Sequence, residues 1–130
     1  MTSYLIGIRT KSGDVLVGFY IVRVEPHHRN ASISIAIGAE DALRQATATE
    51  TARALVEWLF NVRGIEKIIL QIAETNTIVA KWMTSHLRLE GRLVKEIRRL
   101  DGSRIDLLRL GLLKEEWAAI RDASLANGKR

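Results

Sequence analysis

Gly38-Ala39-Glu40-Asp41-Ala42-Leu43-Arg44-Gln45-Ala46-Thr47-Ala48-Thr49-Glu50, running on to Phe60, decides how this chain folds. An apolar strand ends at Gly38, a short polar loop follows and a helix begins. Thr47 with Glu50 three residues later has the form of a capping box, in which the hydroxyl and the carboxylate each satisfy an orphaned backbone NH. The spacing therefore predicts a helix from Thr47, with Ala52, Leu55, Val56, Leu59 and Phe60 on one stripe and Gly64 as its stop. A helix start behind a strand offers free NH groups and the positive end of a dipole, which suit a phosphate. It is equally the form of an ordinary strand-to-helix turn, and the stretch alone leaves both readings open.

Upstream, Ser32-Ile33-Ser34-Ile35-Ala36-Ile37 alternates in strict period two, which predicts a strand with Ile33, Ile35 and Ile37 on its buried face. Tyr4–Ile8 and Val15–Arg23 are rich in β-branched and aromatic residues, and the polar Lys11-Ser12-Gly13-Asp14 between them predicts a hairpin. Pro26, the only proline, breaks the pattern before the third strand.

Downstream, the apolar run Ile65–Ala73 predicts a central strand, and strand-helix-strand implies a parallel neighbour. Asn76-Thr77 opens a second helix over Ile78 to about His86. Glu90–Leu100 and Arg104–Leu113 flank Asp101-Gly102-Ser103, a hairpin turn signal. A last helix covers Lys114 to about Leu125, and residues 126–130 are expected to fray. The order is β-β-β-α-β-α-β-β-α, an α/β fold with a mixed, mostly antiparallel sheet flanked by helices, in a single domain over residues 1–125.

Composition narrows the chemistry. The 130 residues hold no cysteine, which removes disulfides, thiolate metal sites and a Cys nucleophile and fits a cytoplasmic location. No window approaches the roughly eighteen apolar residues of a membrane span. His27 and His28 are adjacent on an extended segment and point apart, so no metal site is expected. Net charge is +5, and Arg88, Arg92, Lys95, Arg98, Arg99, Arg104 and Arg109 form a basic strip. Such a strip is a solvated face or a dock for an acidic protein or nucleic acid. Aromatic residues are 5% of the chain and do not interleave with the strip, which argues against base stacking.

Several segments in this order resemble the GNAT N-acetyltransferase superfamily, in the branch similar to ribosomal-protein N-terminal acetyltransferases. They are Ile35-Ala36-Ile37-Gly38, Ala48-Thr49-Glu50 leading to Leu59-Phe60, Ala73-Glu74-Thr75-Asn76-Thr77, Leu89-Glu90-Gly91-Arg92-Leu93, Asp101-Gly102, and Leu112-Leu113-Lys114-Glu115-Glu116-Trp117. The resemblance runs from Val15 to Trp117. It implies acetyl-coenzyme A with its pyrophosphate on the helix start formed by Arg44, Gln45, Ala46, Thr47, Ala48 and Thr49. The pantetheine arm would lie beside Ile37 and Gly38, and Asn76 would contact the coenzyme or cap the helix after it. The family loop reads Gln or Arg, two residues, Gly, one residue, then Gly or Ala; Leu43 and Ala46 depart from it and Ala48 matches. Ala46 adds a Cβ where the backbone approaches phosphate, and Arg44 supplies a compensating charge.

The resemblance further implies direct attack of a primary amine on the acetyl group, the amine belonging to a small molecule or a protein N-terminus. The family's Tyr or Ser near the thiol is replaced here by the Trp82-Met83 segment, which leaves Ser85 and His86 as candidate acids. The family's glutamate position on the third strand falls on Ser32, which leaves Glu40 as a candidate base. Family members begin with a strand and two helices, whereas this sequence starts at what resembles the second strand. A homo-oligomer or a partner chain is therefore expected to complete the acceptor groove. The alternative is a non-catalytic module that keeps the fold and binds a protein or nucleic acid.

Overall fold

A computed structural model describes residues 2–9, 13, 16–37, 41–75 and 87–128. Six strands are seen: β1 (Thr2–Arg9), β2 (Leu16–Glu25), β3 (Asn30–Ile37), β4 (Lys67–Ala73), β5 (Arg88–Arg98) and β6 (Arg104–Leu113). Two helices accompany them, α1 (Asp41–Asn61) and α2 (Lys114–Gly128). The sheet order is β1-β2-β3-β4-β6-β5, antiparallel except for β3 with β4. This is the mixed, mostly antiparallel α/β architecture expected. The Lys11–Asp14 turn, apart from Gly13, and the helix expected over Ile78–His86 lie outside the described residues.

One face of the sheet carries the core, because the registers align its apolar side chains. Val22 opposes Ile33, Ile33 opposes Leu70, and Leu70 opposes Leu110. Leu55, Val56, Leu59 and Phe60 of α1 are buried over this face, as the helical stripe requires, and Trp117 and Ile120 of α2 pack on the same cluster. Glu57 joins the two helices: its carboxylate accepts from Trp117 Nε1 at 3.3 Å and Asn61 Nδ2 at 2.6 Å and lies 3.6 Å from Arg121. Gly64 has φ +70°, a conformation that favours glycine, and turns the chain out of α1 so that Ile65 N–H donates to the Leu59 carbonyl.

Two element ends differ from expectation. Helix α1 begins at Asp41, six residues before the capping-box position at Thr47. Ala42, Leu43, Arg44, Gln45 and Ala46 are all strong helix formers, and a run of them extends a helix past an internal Thr-x-x-Glu. Likewise α2 continues to Gly128 beyond the expected end near Leu125. The first correction is testable: Ala46→Gly is expected to lower stability by about 1 kcal/mol, the cost of glycine inside a helix. Urea denaturation showing no loss would return Ala46 to a loop.

Candidate functional site

The site follows from where strands β3 and β4 stop pairing. Their parallel ladder runs from Asn30↔Lys67 to Ile33↔Leu70 among the described residues. Both strands continue past it, β3 to Ile37 and β4 to Ala73. Over these extensions β3 stays bonded to β2, through Gly18↔Ile37, and β4 to β6, through Ala73↔Leu107. The sheet thus opens into a wedge at the carboxyl ends of its one parallel pair, with two inner strand edges unmatched by each other. Backbone NH and C=O groups so placed need partners, and the crevice beyond the carboxyl ends of parallel strands is where open α/β sheets bind ligands.

The opposite end of the same seam is tied. Arg29, at φ 53°, closes the β2–β3 turn by donating its N–H to Pro26. Its carbonyl accepts from Glu66 N at 2.8 Å, and the Glu66 carbonyl accepts from Lys114 N at 3.0 Å. One end of the seam is therefore held by three chain segments while the other spreads.

Helix α1 starts just past the end of β3, four residues beyond Ile37. The NH groups left free at a helix start are those of its first turn, so here they belong to residues 41–44 rather than to Thr47. Among the expected coenzyme contacts, Ile37 ends β3 at the open side of the wedge, Arg44 lies in the first turn of α1, and Gln45, Ala46, Thr47, Ala48 and Thr49 follow in the helix. Gly38, Glu40, Asn76, Ser85 and His86 lie outside the described residues. Ser32 and Ser34 sit on the sheet face turned away from α1, Ser32 half-buried and Ser34 exposed.

Three groups emerge that the sequence alone did not single out. Tyr20, 3% exposed, pairs with Ile35 across β2–β3, and its hydroxyl lies 2.6 Å from Thr51 Oγ1. The bond pins α1 to the sheet below the wedge. Burial raises the Tyr20 pKa, against the opposing effect of the Thr51 bond, so the phenol stays protonated at neutral pH. Beside the end of β4, Arg92 Nη1 bridges Glu74 (2.7 Å) and Asp106 (2.8 Å). On the other side of the β5–β6 hairpin, Glu90 lies 3.0 Å from Lys67 and 3.2 Å from Arg88, and Arg88 also bonds Glu116 at the start of α2 at 2.5 Å. Such pairs join residues far apart in sequence, which no local pattern announces.

These contacts divide the basic strip. Arg88 and Arg92 are held by carboxylates, and Arg104 donates to the carbonyls of Lys95 and Glu96. The charges of Arg88 and Arg92 are thus matched within the fold, whereas the carbonyl contacts of Arg104 position its guanidinium without neutralising it. No group of acidic or histidine side chains suited to a metal occurs among the described residues.

Acid sensitivity follows from the same pairs. The Asp106 carboxyl titrates below its usual range because its carboxylate accepts from Lys95 N and, next in effect, from Arg92; Lys67 does the same chiefly for Glu90. A carboxylate with a depressed folded pKa stabilises the fold above its unfolded pKa, and this is lost as pH falls through the folded value. The melting temperature is expected to hold between about pH 7 and 5 and to fall below about pH 4. Asp106→Asn should make that fall shallower; an unchanged acid limb would remove Asp106 from the account.

The mixed sheet with its parallel seam, the wedge and the helix after it define an open α/β domain with a crevice of the kind that takes a ligand. The family model described as "Acetyltransferase (GNAT) domain" matches residues 1–86, and the chain belongs to that family. No curated protein sequence matches the chain. Solved structures with the same fold include the spermidine/spermine N-acetyltransferase of Vibrio cholerae in complex with manganese ions (22% identity, TM-score 0.72, covering 87% of this chain and 66% of that one). A dodecameric structure of the spermidine enzyme from the same organism gives 24%, 0.68, 80% and 61%. A GNAT-family acetyltransferase of Bacillus anthracis gives 20%, 0.69, 84% and 65%. The chain spans just under two thirds of the length of these proteins, and at such identities the likeness carries the fold. No described helix is long and apolar enough to cross a membrane.

Proposed function

We propose that this chain is an acetyl-coenzyme A-dependent N-acetyltransferase that transfers acetyl to a primary amine, acting as one domain over residues 1–125 in the cytoplasm. The observation that carries the reading is the wedge between Ser34–Ile37 of β3 and Gln71–Ala73 of β4, followed directly by α1. Its unmatched strand edges suit the amide-bearing arm of the coenzyme, and the first-turn NH groups of α1 with Arg44 suit its phosphates. When bound, the coenzyme supplies an acetyl thioester. The residues of β3 and β4 orient its arm by backbone hydrogen bonds, and Tyr20 with Thr51 holds α1 against the sheet. In direct attack of the acceptor amine on that thioester, Glu40 would take the proton the amine loses and Ser85 or His86 would give one to the departing thiolate. The spermidine enzymes among the structural neighbours favour a small amine as acceptor over a protein N-terminus.

A second reading, a non-catalytic module that keeps the fold for binding, is favoured by one observation. Asp41 is the first residue of α1, and an acidic residue in a first turn competes with a phosphate for the helix dipole. Calorimetric titration with acetyl-coenzyme A and desulfo-coenzyme A separates the two. Micromolar binding of both is expected; absence of heat at millimolar ligand sinks the enzyme reading. Binding without acetylation of any amine in a panel of polyamines and peptides moves the conclusion to the second.

A further inference from the structure

We propose that Arg92 is a positioning residue for the coenzyme: bound to Glu74 and Asp106 at once, it fixes the end of β4, the strand that walls one side of the wedge. The inference rests on the proposed function for its ligand and on side-chain geometry for the rest.

Strand β4 needs support where the wedge opens. Up to Leu70 it has β3 on one side and β6 on the other. From Gln71 to Ala73, among the described residues, it is laddered to β6 alone, and one further bond, Glu74 N–H to the Asp106 carbonyl at 3.0 Å, closes the ladder. A strand held on one side only opens most readily at its last residues. Those are the residues whose edge is offered to the arm of the coenzyme.

The support comes from the β5–β6 hairpin. Arg92 opposes Leu108, so Asp106 is its diagonal neighbour on the same face of the sheet. Arg92 Nη1 lies 2.8 Å from the Asp106 carboxylate and, one strand further, 2.7 Å from that of Glu74. The guanidinium thus joins β5, across β6, to the end of β4.

Asp106 is in turn aimed by a bulge. Between the pairs Leu93↔Leu107 and Ile97↔Ile105, Val94, Lys95 and Glu96 stand against Asp106 alone. Lys95 adopts φ 53°, a conformation uncommon outside glycine. Both of its peptide groups are held from β6: its N–H donates to Asp106 Oδ1 at 2.8 Å, and its carbonyl accepts from Arg104 Nε at 2.8 Å. With Oδ1 occupied by Lys95, Asp106 presents Oδ2 to Arg92. Bulges re-aim groups beside functional sites, and this one aims a carboxylate.

Arg88 supplies the comparison. It lies on the same strand, bonds two carboxylates, Glu90 and Glu116, and its side chain is 43% exposed against 50% for Arg92, but it sits towards the tied end of the seam.

Hydrogen exchange and calorimetry on the full chain test the proposal. Arg92→Met keeps the aliphatic stem and removes both bonds. Exchange of the Glu74 amide, read without ligand, is expected to quicken about three- to tenfold in this variant, the scale of two partly exposed ion pairs lost. The Kd for acetyl-coenzyme A should rise by about the same factor. Arg88→Met should leave both readings within about twofold of wild type, although it gives up pairs of similar worth. Arg92→Lys, whose single ammonium group can still reach a carboxylate, should recover part of the loss. Glu74→Ala replaces Arg92→Met should the latter not fold. Unchanged exchange at Glu74, unchanged affinity, or equal losses of affinity in Arg92→Met and Arg88→Met would each overturn the inference. A wild type that binds no coenzyme sinks the proposed function, and with it the ligand of this inference; exchange at Glu74 then tells whether Arg92 holds the end of β4.

Discussion

Phe60→Ala is expected to lower the stability of the fold by about 3–5 kcal/mol, the range for removing a fully buried aromatic side chain. Phe60 is 1% exposed and is the largest fully buried side chain among the described residues, packed in the cluster that α1 and the sheet share. The loss combines the transfer of its ring to water with the cavity left between helix and strands, which neighbours fixed in a sheet cannot collapse to fill. Set against a total stability of roughly 5–15 kcal/mol, it brings the domain close to unfolding at growth temperature. The melting temperature should drop by more than about 10 °C. Leu100→Ala gives the internal control: the same class of side chain is fully exposed at the hairpin tip, and its loss should stay within about 0.5 kcal/mol. Equal effects of the two substitutions in urea titrations would show that the core is not where the packing places it.

Reversal of charge at Arg44 is expected to weaken acetyl-coenzyme A binding by about thirtyfold, or roughly 2 kcal/mol, the scale of a charge-assisted contact to phosphate. Arg44 lies in the first turn of α1, among the backbone NH groups that have no partner within the helix. With Asp41 in the same turn, the reversal leaves that turn with two acidic residues and no basic one. Arg44→Glu removes two units from the net charge of +5. The comparison is Arg99→Glu, at the start of the β5–β6 turn, which removes the same two units elsewhere and should change affinity by less than about twofold under moderate salt screening. Calorimetry in which both reversals weaken binding equally would mean that overall charge acts, not Arg44.

The fold was legible in the sequence wherever periodicity was undisturbed. Ile33 on an alternating strand, Leu55, Val56, Leu59 and Phe60 on a helical stripe, and Asp101-Gly102-Ser103 between two strand-like runs all lie where their patterns place them. The parallel pairing of β3 with β4 followed from strand, helix, strand. What failed was the helix start. Thr47 and Glu50 have the form of a cap, yet the preceding Ala, Leu, Arg and Gln favour helix too, and a motif with few constraints yields to a longer run of propensity. Leu43 and Ala46, which depart from the family's phosphate loop, are two of the residues that lengthen the helix.

The site was less legible because its defining feature is where pairing ends. Nothing in Ser34–Ile37 or Gln71–Ala73 differs in composition from paired strand, so only the register reveals the wedge. Tyr20 with Thr51, and Arg92 with Glu74 and Asp106, escape for a related reason: their partners are brought together by sheet order. The resemblance to the GNAT superfamily supplied what local patterns did not, and the family match bears it out at that level.

The tied end of the β3–β4 seam has a mechanical consequence. The sheet is in effect two three-stranded panels, β1-β2-β3 and β4-β6-β5, stitched over four residue pairs. Arg29, Glu66 and Lys114 fasten one end of the stitching like the pin of a pair of dividers. Any change in the angle between the panels is therefore converted, with the leverage of the unstitched strand lengths, into a change in the gap at the far end. Gauge width is set by the pin.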